Sequence, residues 1–523
     1  MRIKNLTWGL GAGFIVLITL LIYSPVLKAG FFWDDYLWFK DYGQYHSLTG
    51  FKIYWTNFRL FPAFFPFTLT TFWLEHFLWH SHWAGYHLTN VLLHSANALM
   101  IWFLLTRWKV SGAWFVAFLF AIHPVHVETV AWMTERKNLL SLFFYLGALA
   151  AFIEWRKYGL SFILFLCAVL SKPVACTFPV ALLIVSWWRG GLNKNQLKIL
   201  APFFMVSVAM GMVTRGIEKT YDRVNWPTLS FSFLERCFLA ARAFWFYLVK
   251  LILPTNLSIV YPPWSLDPSQ FLNDFSVLAV LGLFLGLWLA RNRIDKAVTA
   301  AALFFGVNLS LTLGFFPMAI YRFFYVADRW QYHASIGILA LVSGLAMKYL
   351  KKIAVPVLFL MGSVWAGLSY ERAVLFQSEE AIWRDAIHKH SVSTIARHNL
   401  GTVLQNKGRI SEAELEYRRV LELDPAYVDA HNNLAAILTE QGKPDEAIQH
   451  LEIARSLRPH NAATYLNLGI AFAAKNDLNA AVSYFREAVR LEPESWDSRH
   501  NLELALRRER SYAAALAPVS ATR

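Results

Sequence analysis

The chain has 523 residues, 56% of them hydrophobic and only 16% charged, against about 25% charged in soluble domains; with a mean hydropathy of +0.38 this excludes a wholly soluble protein and describes a membrane protein with something attached. The net charge of +14 fits contact with anionic lipid or phosphate and a cytoplasmic excess of Lys and Arg, and no basic, aromatic-bearing soluble module for nucleic acid is visible. Cys167, Cys176 and Cys237, without a CxxC, supply neither a disulfide framework nor a zinc site.

The chain opens with "MRIKN" and an apolar run from Leu6 to Leu27, longer than the roughly 7–15 residues of a signal-peptide core. This run reads as a retained first helix. "FFWDDYLWF", 31–39, follows, with Asp34 and Asp35 set among aromatic residues. The first outer loop, 30–85, holds an aromatic, amphipathic stretch suited to lying along the membrane interface. Further apolar runs fall near 86–106, 112–130, 138–154, 159–171, 173–188, 197–214, 231–253, 274–290, 297–316, 333–349 and 353–369. The run 231–253 carries Glu235, Arg236, Arg242 and Lys250, which suits a re-entrant or interfacial helix. Treating it as non-spanning gives about eleven crossings. The clusters around Arg107/Lys109, Arg291/Arg293 and Lys348/Lys351/Lys352 then all fall on the cytoplasmic side. Asp34, Asp35, the 123–137 region, the 317–332 loop and the C-terminal region fall outside.

The last part of the chain is periodic. Pro425, Pro459 and Pro493 recur at 34 residues, as do Asn399, Asn433, Asn467 and Asn501 and Ala413, Ala447, Ala481 and Ala515. That period is the tetratricopeptide repeat (TPR), whose helix pairs stack into a solenoid with a concave groove. The expected organisation is a membrane domain over 1–375, a connector over 376–392 and repeats over 393–523. The fold class is all-α: a polytopic membrane helix bundle followed by a TPR α-solenoid.

Four outer stretches carry the chemistry. Besides Asp34 and Asp35 there are "AIHPVHVETVAWMTERKNLL" with His123, His126, Glu128, Glu135, Arg136 and Lys137, "LSKPVACTFP" with Lys172, and "YRFFYVADRWQYHASIG" with Arg322, Asp328, Arg329 and Tyr332. Transfer of a sugar from a polyprenyl-phosphate needs no general acid, because the phosphate leaves well. It needs cations to hold that phosphate, for which Arg136, Lys137, Lys172 and Arg329 are the candidates. It also needs a carboxylate to take the acceptor's proton, for which Asp34 and Asp35 are the candidates. Between these, Asp35 is preferred because it lies farther from the membrane anchor. His123, His126, Glu128, Asp328 and Tyr332 are the expected supports of the site. A divalent metal beside Asp34 and Asp35 is a further candidate. Zinc on His123, His126 and Glu128 is disfavoured, since Pro124 breaks the helix and no HExxH occurs.

Those stretches, with "YHLTNVLLHSANALMIWFLL", "LPTNLSIVYP" and the trailing repeats, resemble the transmembrane-and-TPR-containing family, its bacterial branch in particular. The resemblance implies a membrane glycosyltransferase of the C-type fold, related to protein O-mannosyltransferases. It implies an inverting transfer from a polyprenyl-phosphate sugar to a hydroxyl of a protein acceptor, presented by the TPR groove. It also implies that the acidic pair of the first outer loop is catalytic and that the protein resides in a bacterial inner membrane with its repeats on the periplasmic side. Relatives of that branch carry an acid after Glu-Arg-Lys, where this chain has Asn138. The alternative reading is a non-catalytic membrane anchor displaying TPRs to an envelope complex, which would not need the outer acids and cations.

Overall fold

The computed structural model describes residues 2–35, 47–57, 64–80, 82–224, 229, 231–266, 275–316 and 318–516. The second half of "FFWDDYLWF" and part of the first outer loop lie outside these. The described residues are helical or irregular, with no strand among them. They divide into two compact units, 1–223 with 227–385 and 224–226 with 386–523.

Among the described residues of the first unit, five helices are long and apolar enough to cross a membrane: Trp8–Lys28, Trp83–Arg107, Met133–Ile153, Lys194–Lys219 and Lys351–Leu375. A sixth appears if Ala113–Ala121 and Pro124–Ala131, bent by 48° at their junction, are one broken crossing. The other runs read as spans form shorter apolar helices of 10–17 residues, Tyr158–Ser171, Pro173–Trp188, Ser276–Leu289, Lys296–Thr312 and Ser335–Tyr349. These are shorter than the roughly 20 residues of a full crossing, so about eleven crossings would require each short helix to traverse. Hydropathy counts apolar residues but does not see where proline interrupts the helix. The helix Phe233–Ile252 is 20 residues long, and its charged residues keep it out of the apolar set.

Two of the breaks are written in X-Pro pairs. A residue before proline is pushed out of the α region by the ring's Cδ. His123 before Pro124 has ψ 128°, and Lys172 before Pro173 has φ −158° and ψ 129°. Both side chains are thus displayed where a helix stops. The His-Pro-Val-His corner is then pinned from within. His123 Nε2 lies 3.1 Å from the Leu251 carbonyl, and His126 reaches the Phe120 carbonyl at 2.8 Å and Ser335 Oγ at 3.1 Å.

The second unit pairs Thr394–Asn406 with Ile410–Leu423, Val428–Glu440 with Pro444–Leu457 and Ala462–Ala474 with Leu478–Leu491, and ends in Trp496–Leu516. The turn within each pair needs a left-handed residue. Gly408 (φ +74°), Gly442 (φ +75°) and Asn476 (φ +65°) supply it at successive equivalent positions, Asn being among the few side chains that tolerate it. At the helix crossing, a Cβ on Gly469 would come within 2.4 Å of the Phe485 ring, so only a small residue lets the pair close.

Candidate functional site

The Asp pair sits in a tight turn. Trp33 has φ +50°, a left-handed conformation that costs a non-glycine residue about 1–2 kcal/mol. Its backbone N–H donates to Glu379 Oε1 at 3.1 Å, and its ring stacks on Trp132 at 5.2 Å and 10°. The turn closes through Asp35 N–H donating to the Phe32 carbonyl at 2.9 Å.

The two carboxylates then diverge. Asp35 is fully buried; its Oδ2 accepts from Phe32 N–H and its Oδ1 from Thr134 N–H, both at 3.0 Å. Both oxygens are therefore committed to backbone donors, tying the first outer loop to the turn before Arg136. Burial, then the charge of Asp34, push its carboxyl well above the usual range, against the pull of the Phe32 and Thr134 hydrogen bonds. Asp34 is only partly buried and accepts one hydrogen bond, from Thr134 Oγ1 at 3.0 Å. Burial also raises its carboxyl, with Lys137 and Arg329 pulling it down and Glu135 pushing it up. Asp34 is thus within electrostatic reach of Lys137 and Arg329, while Asp35, preferred from the sequence, spends both oxygens on holding the loop.

The cations gather on Glu135. Lys137 Nζ lies 2.9 Å from its Oε1, Arg329 Nε 3.5 Å from the same oxygen, and Lys172 Nζ 3.8 Å from its Oε2. Lys172 Nζ also donates to Asn138 Oδ1 at 2.6 Å, and Asn138 Nδ2 donates to Glu135. Asn138 thus joins Lys172 to Glu135 without adding charge. Arg329 pairs with Glu128 and lies over the Trp132 ring at 4.9 Å. The Lys137 and Lys172 side chains keep 16% and 18% of their surface exposed, against 8% for Arg329. The two lysines are therefore the more accessible to an incoming anion.

Arg136 is not part of this cluster. It is fully buried, pairs with Glu75, donates to Asn90 Oδ1 at 2.8 Å and to the Tyr86 carbonyl at 2.7 Å, and lies over the Phe72 ring at 4.4 Å. Adjacent residues on a helix point about 100° apart, so Lys137 turns to the cluster while Arg136 turns into the core. Tyr332 is also a core residue, its hydroxyl 2.7 Å from His94 Nδ1 and 3.3 Å from Asn97 Nδ2. Asp328 is buried between Arg372 and the Tyr261 hydroxyl, each at 3.0 Å. His123 and His126 pin the helix corner. Of the expected supports, only Glu128 touches the cluster, through Arg329.

Sequence reasoning missed Glu75, Thr134, Tyr261 and Arg372, and it placed Glu135 in the 121–140 stretch without giving it a role. Glu75 carried a signal: a lone acid in an aromatic interfacial stretch implies a partner. Among the described residues no group of three or more His, Cys, Asp or Glu side chains could hold a metal ion, so the Asp34/Asp35 turn offers no such ligand set.

The repeats match family models described as tetratricopeptide repeat over residues 427–493 and TPR repeat over 401–442. Among curated proteins, the chain is 25% identical over 382 residues to the protein O-mannosyl-transferase F38B6.6 of Caenorhabditis elegans, covering 69% of this chain and 54% of that one. It is 23% identical to the protein O-mannosyl-transferase TMTC3 of Mus musculus, covering 80% of this chain and 51% of the relative. A solved structure, the first TPR domain of the human RPAP3 protein, is 20% identical with a TM-score of 0.23, covering 23% of this chain and 95% of that one. The relatives are protein O-mannosyl-transferases, as the resemblance implied, and the chain spans about half their length.

Proposed function

We propose that this chain is a membrane glycosyltransferase that moves a sugar, mannose by its relatives' names, from a polyprenyl-phosphate donor to a hydroxyl of a protein. Lys137, Lys172 and Arg329 hold the donor phosphate, and Asp34 is the base. Asp34 takes the acceptor's proton as the hydroxyl oxygen attacks the anomeric carbon. The bond from that carbon to the phosphate oxygen breaks, and the lipid phosphate leaves with the electron pair, its charge met by the cations. A single displacement inverts the anomeric centre, and no general acid is needed. Asp35 keeps the loop in register, and Glu135 spaces the three cations while no phosphate is bound. The observation that carries this reading is the split of the Asp pair, with one carboxylate spent on backbone donors and the other partly open and within electrostatic reach of Lys137 and Arg329. The repeats then present the acceptor, on the outer side of a bacterial inner membrane.

The test uses the full chain in detergent with a polyprenyl-phosphate mannose and an acceptor peptide. Asp34→Asn preserves shape and removes the base, so transfer should fall by roughly 10²–10⁴ with donor binding retained. Lys172→Ala removes a charge-assisted contact of about 1.5–3 kcal/mol, so the donor Kd should rise about tenfold or more. Transfer at the parent rate by Asp34→Asn, Asp35→Asn and the double variant would reject the enzyme reading in favour of a membrane-anchored scaffold.

A further inference from the structure

The first unit holds a second feature, far from the Asp pair. A cavity of about 740 Å³ opens between the helices Trp83–Arg107, Arg136–Ile153, Phe178–Trp188, Lys296–Leu309 and Ser335–Tyr349. On Arg136–Ile153 it touches Leu146 and Leu149, at a rise of 1.5 Å per residue some 14–18 Å along the helix from Lys137. Its walls are apolar, Ile101, Leu104 and Phe304 among them. Along Ser335–Tyr349 it runs from Ile336 to Tyr349, about 20 Å of helix and so the length of an extended fatty acyl chain. Along that helix Gly337 lets the backbone close on Lys296–Leu309, where a Cβ would come within 2.6 Å of the Ala301 carbonyl, while Ala340 and Gly344 line the cavity with little side chain to fill it. A Cβ on Gly344 would meet only the Ser111 carbonyl, at 3.9 Å.

The cavity's rim is basic. Lys109, Arg293 and Lys348 line it, all exposed. Lys109 and Arg293 have no ion-pair partner among the described residues, and Lys348 makes only a cation–π contact with Tyr349, at 5.5 Å. One carboxylate stands against them, Asp295, whose Oδ1 is occupied in capping Ala297 N–H at 2.9 Å. Trp108, Trp188 and Tyr349 also reach the cavity, as aromatic residues do at the level of lipid headgroups. The three cations come from three separate basic clusters that the sequence assigns to one membrane face, and the fold gathers them around one mouth.

We propose that this cavity is a binding site for one anionic glycerophospholipid, one of its two acyl chains between the helices and its phosphate on Lys109, Arg293 and Lys348. The apolar depth takes the chain, and the surplus of rim cations selects a headgroup with net negative charge over a zwitterionic one. The site is independent of the Asp34 chemistry.

The test is native mass spectrometry of the full chain, stripped of lipid in detergent and titrated with phosphatidylglycerol or phosphatidylcholine. The expected result is a one-to-one adduct with phosphatidylglycerol at an affinity at least tenfold above that for phosphatidylcholine. Lys109→Gln, Arg293→Gln and Lys348→Gln should each weaken it by about fivefold at low salt, and by less at high salt, where exposed charges are screened. Gly344→Leu or Ala340→Leu fills the cavity and should remove the adduct at every salt concentration while helix content is unchanged. Equal affinity for the two lipids would overturn the proposal. So would a triple Gln variant that binds phosphatidylglycerol like the parent, or retention of the adduct in both cavity-filling variants. Displacement of the bound phosphatidylglycerol by equimolar undecaprenyl phosphate would assign the cavity to a polyprenyl chain and overturn it as well.

Discussion

Asp34→Asn and Asp35→Asn exchange the same atoms one residue apart, and the structure expects different outcomes. In Asp35 both carboxylate oxygens accept from backbone N–H groups at 3.0 Å. An Asn keeps one oxygen and turns an NH2 group against the other N–H, so one charge-assisted hydrogen bond is lost and a donor faces a donor. Such a bond is worth about 1.5–3 kcal/mol. The lower end applies to the extent that burial and Asp34 hold the Asp35 carboxyl above its usual range and so partly neutral. Asp35→Asn should therefore cost about 1.5–3 kcal/mol, read as a lower unfolding temperature in detergent and faster proteolysis of the first outer loop. In Asp34 the single contact is to the Thr134 hydroxyl, which can rotate to suit an amide, so Asp34→Asn should keep the parent unfolding temperature and lose transfer. Measured side by side, unfolding and sugar transfer separate the two roles. These two roles are refuted if Asp34→Asn destabilises as much as Asp35→Asn, or if Asp35→Asn leaves stability untouched while abolishing transfer.

Three further outcomes follow from the same geometry. Because burial raises the Asp34 carboxyl, the acid limb of the transfer-rate profile should lie above the ordinary Asp value of about 3.9; Lys137 pulls that carboxyl down, so Lys137→Met should move the limb to still higher pH, and a shift to lower pH would contradict the assignment. Arg136→Gln strands Glu75 in a nearly buried site and should destabilise by about 3–5 kcal/mol, with Glu75→Gln recovering part of the loss in a double-mutant cycle of unfolding free energies; intact stability with weakened donor binding would return Arg136 to the donor site. Deleting 393–523 should spare donor binding and reduce transfer to a protein acceptor, measured by radiolabelled sugar incorporation, and undiminished transfer would show that the repeats do not present it.

Composition and period were sufficient for the class of this protein. A run of apolar residues has one inexpensive place to be, and a 34-residue recurrence of Pro, Asn and Ala has one stacking solution, so the membrane unit and the repeats were legible without coordinates. So were the breaks at His123-Pro124 and Lys172-Pro173, because the constraint before proline is local and steric. The side-chain assignments were not legible. Arg136 and Lys137 are neighbours in the sequence, yet the helical turn sends one to Glu75 and the Tyr86 carbonyl and the other to Glu135. Asp34 and Asp35 part in the same way at the positive φ of Trp33. The pairing of Arg329 with Glu128 and the cradle of Lys172 between Asn138 and Glu135 join segments that lie far apart along the chain. Nothing local decides such contacts. They exist because a buried charge needs a partner, and only the packed helices determine which partner is within reach.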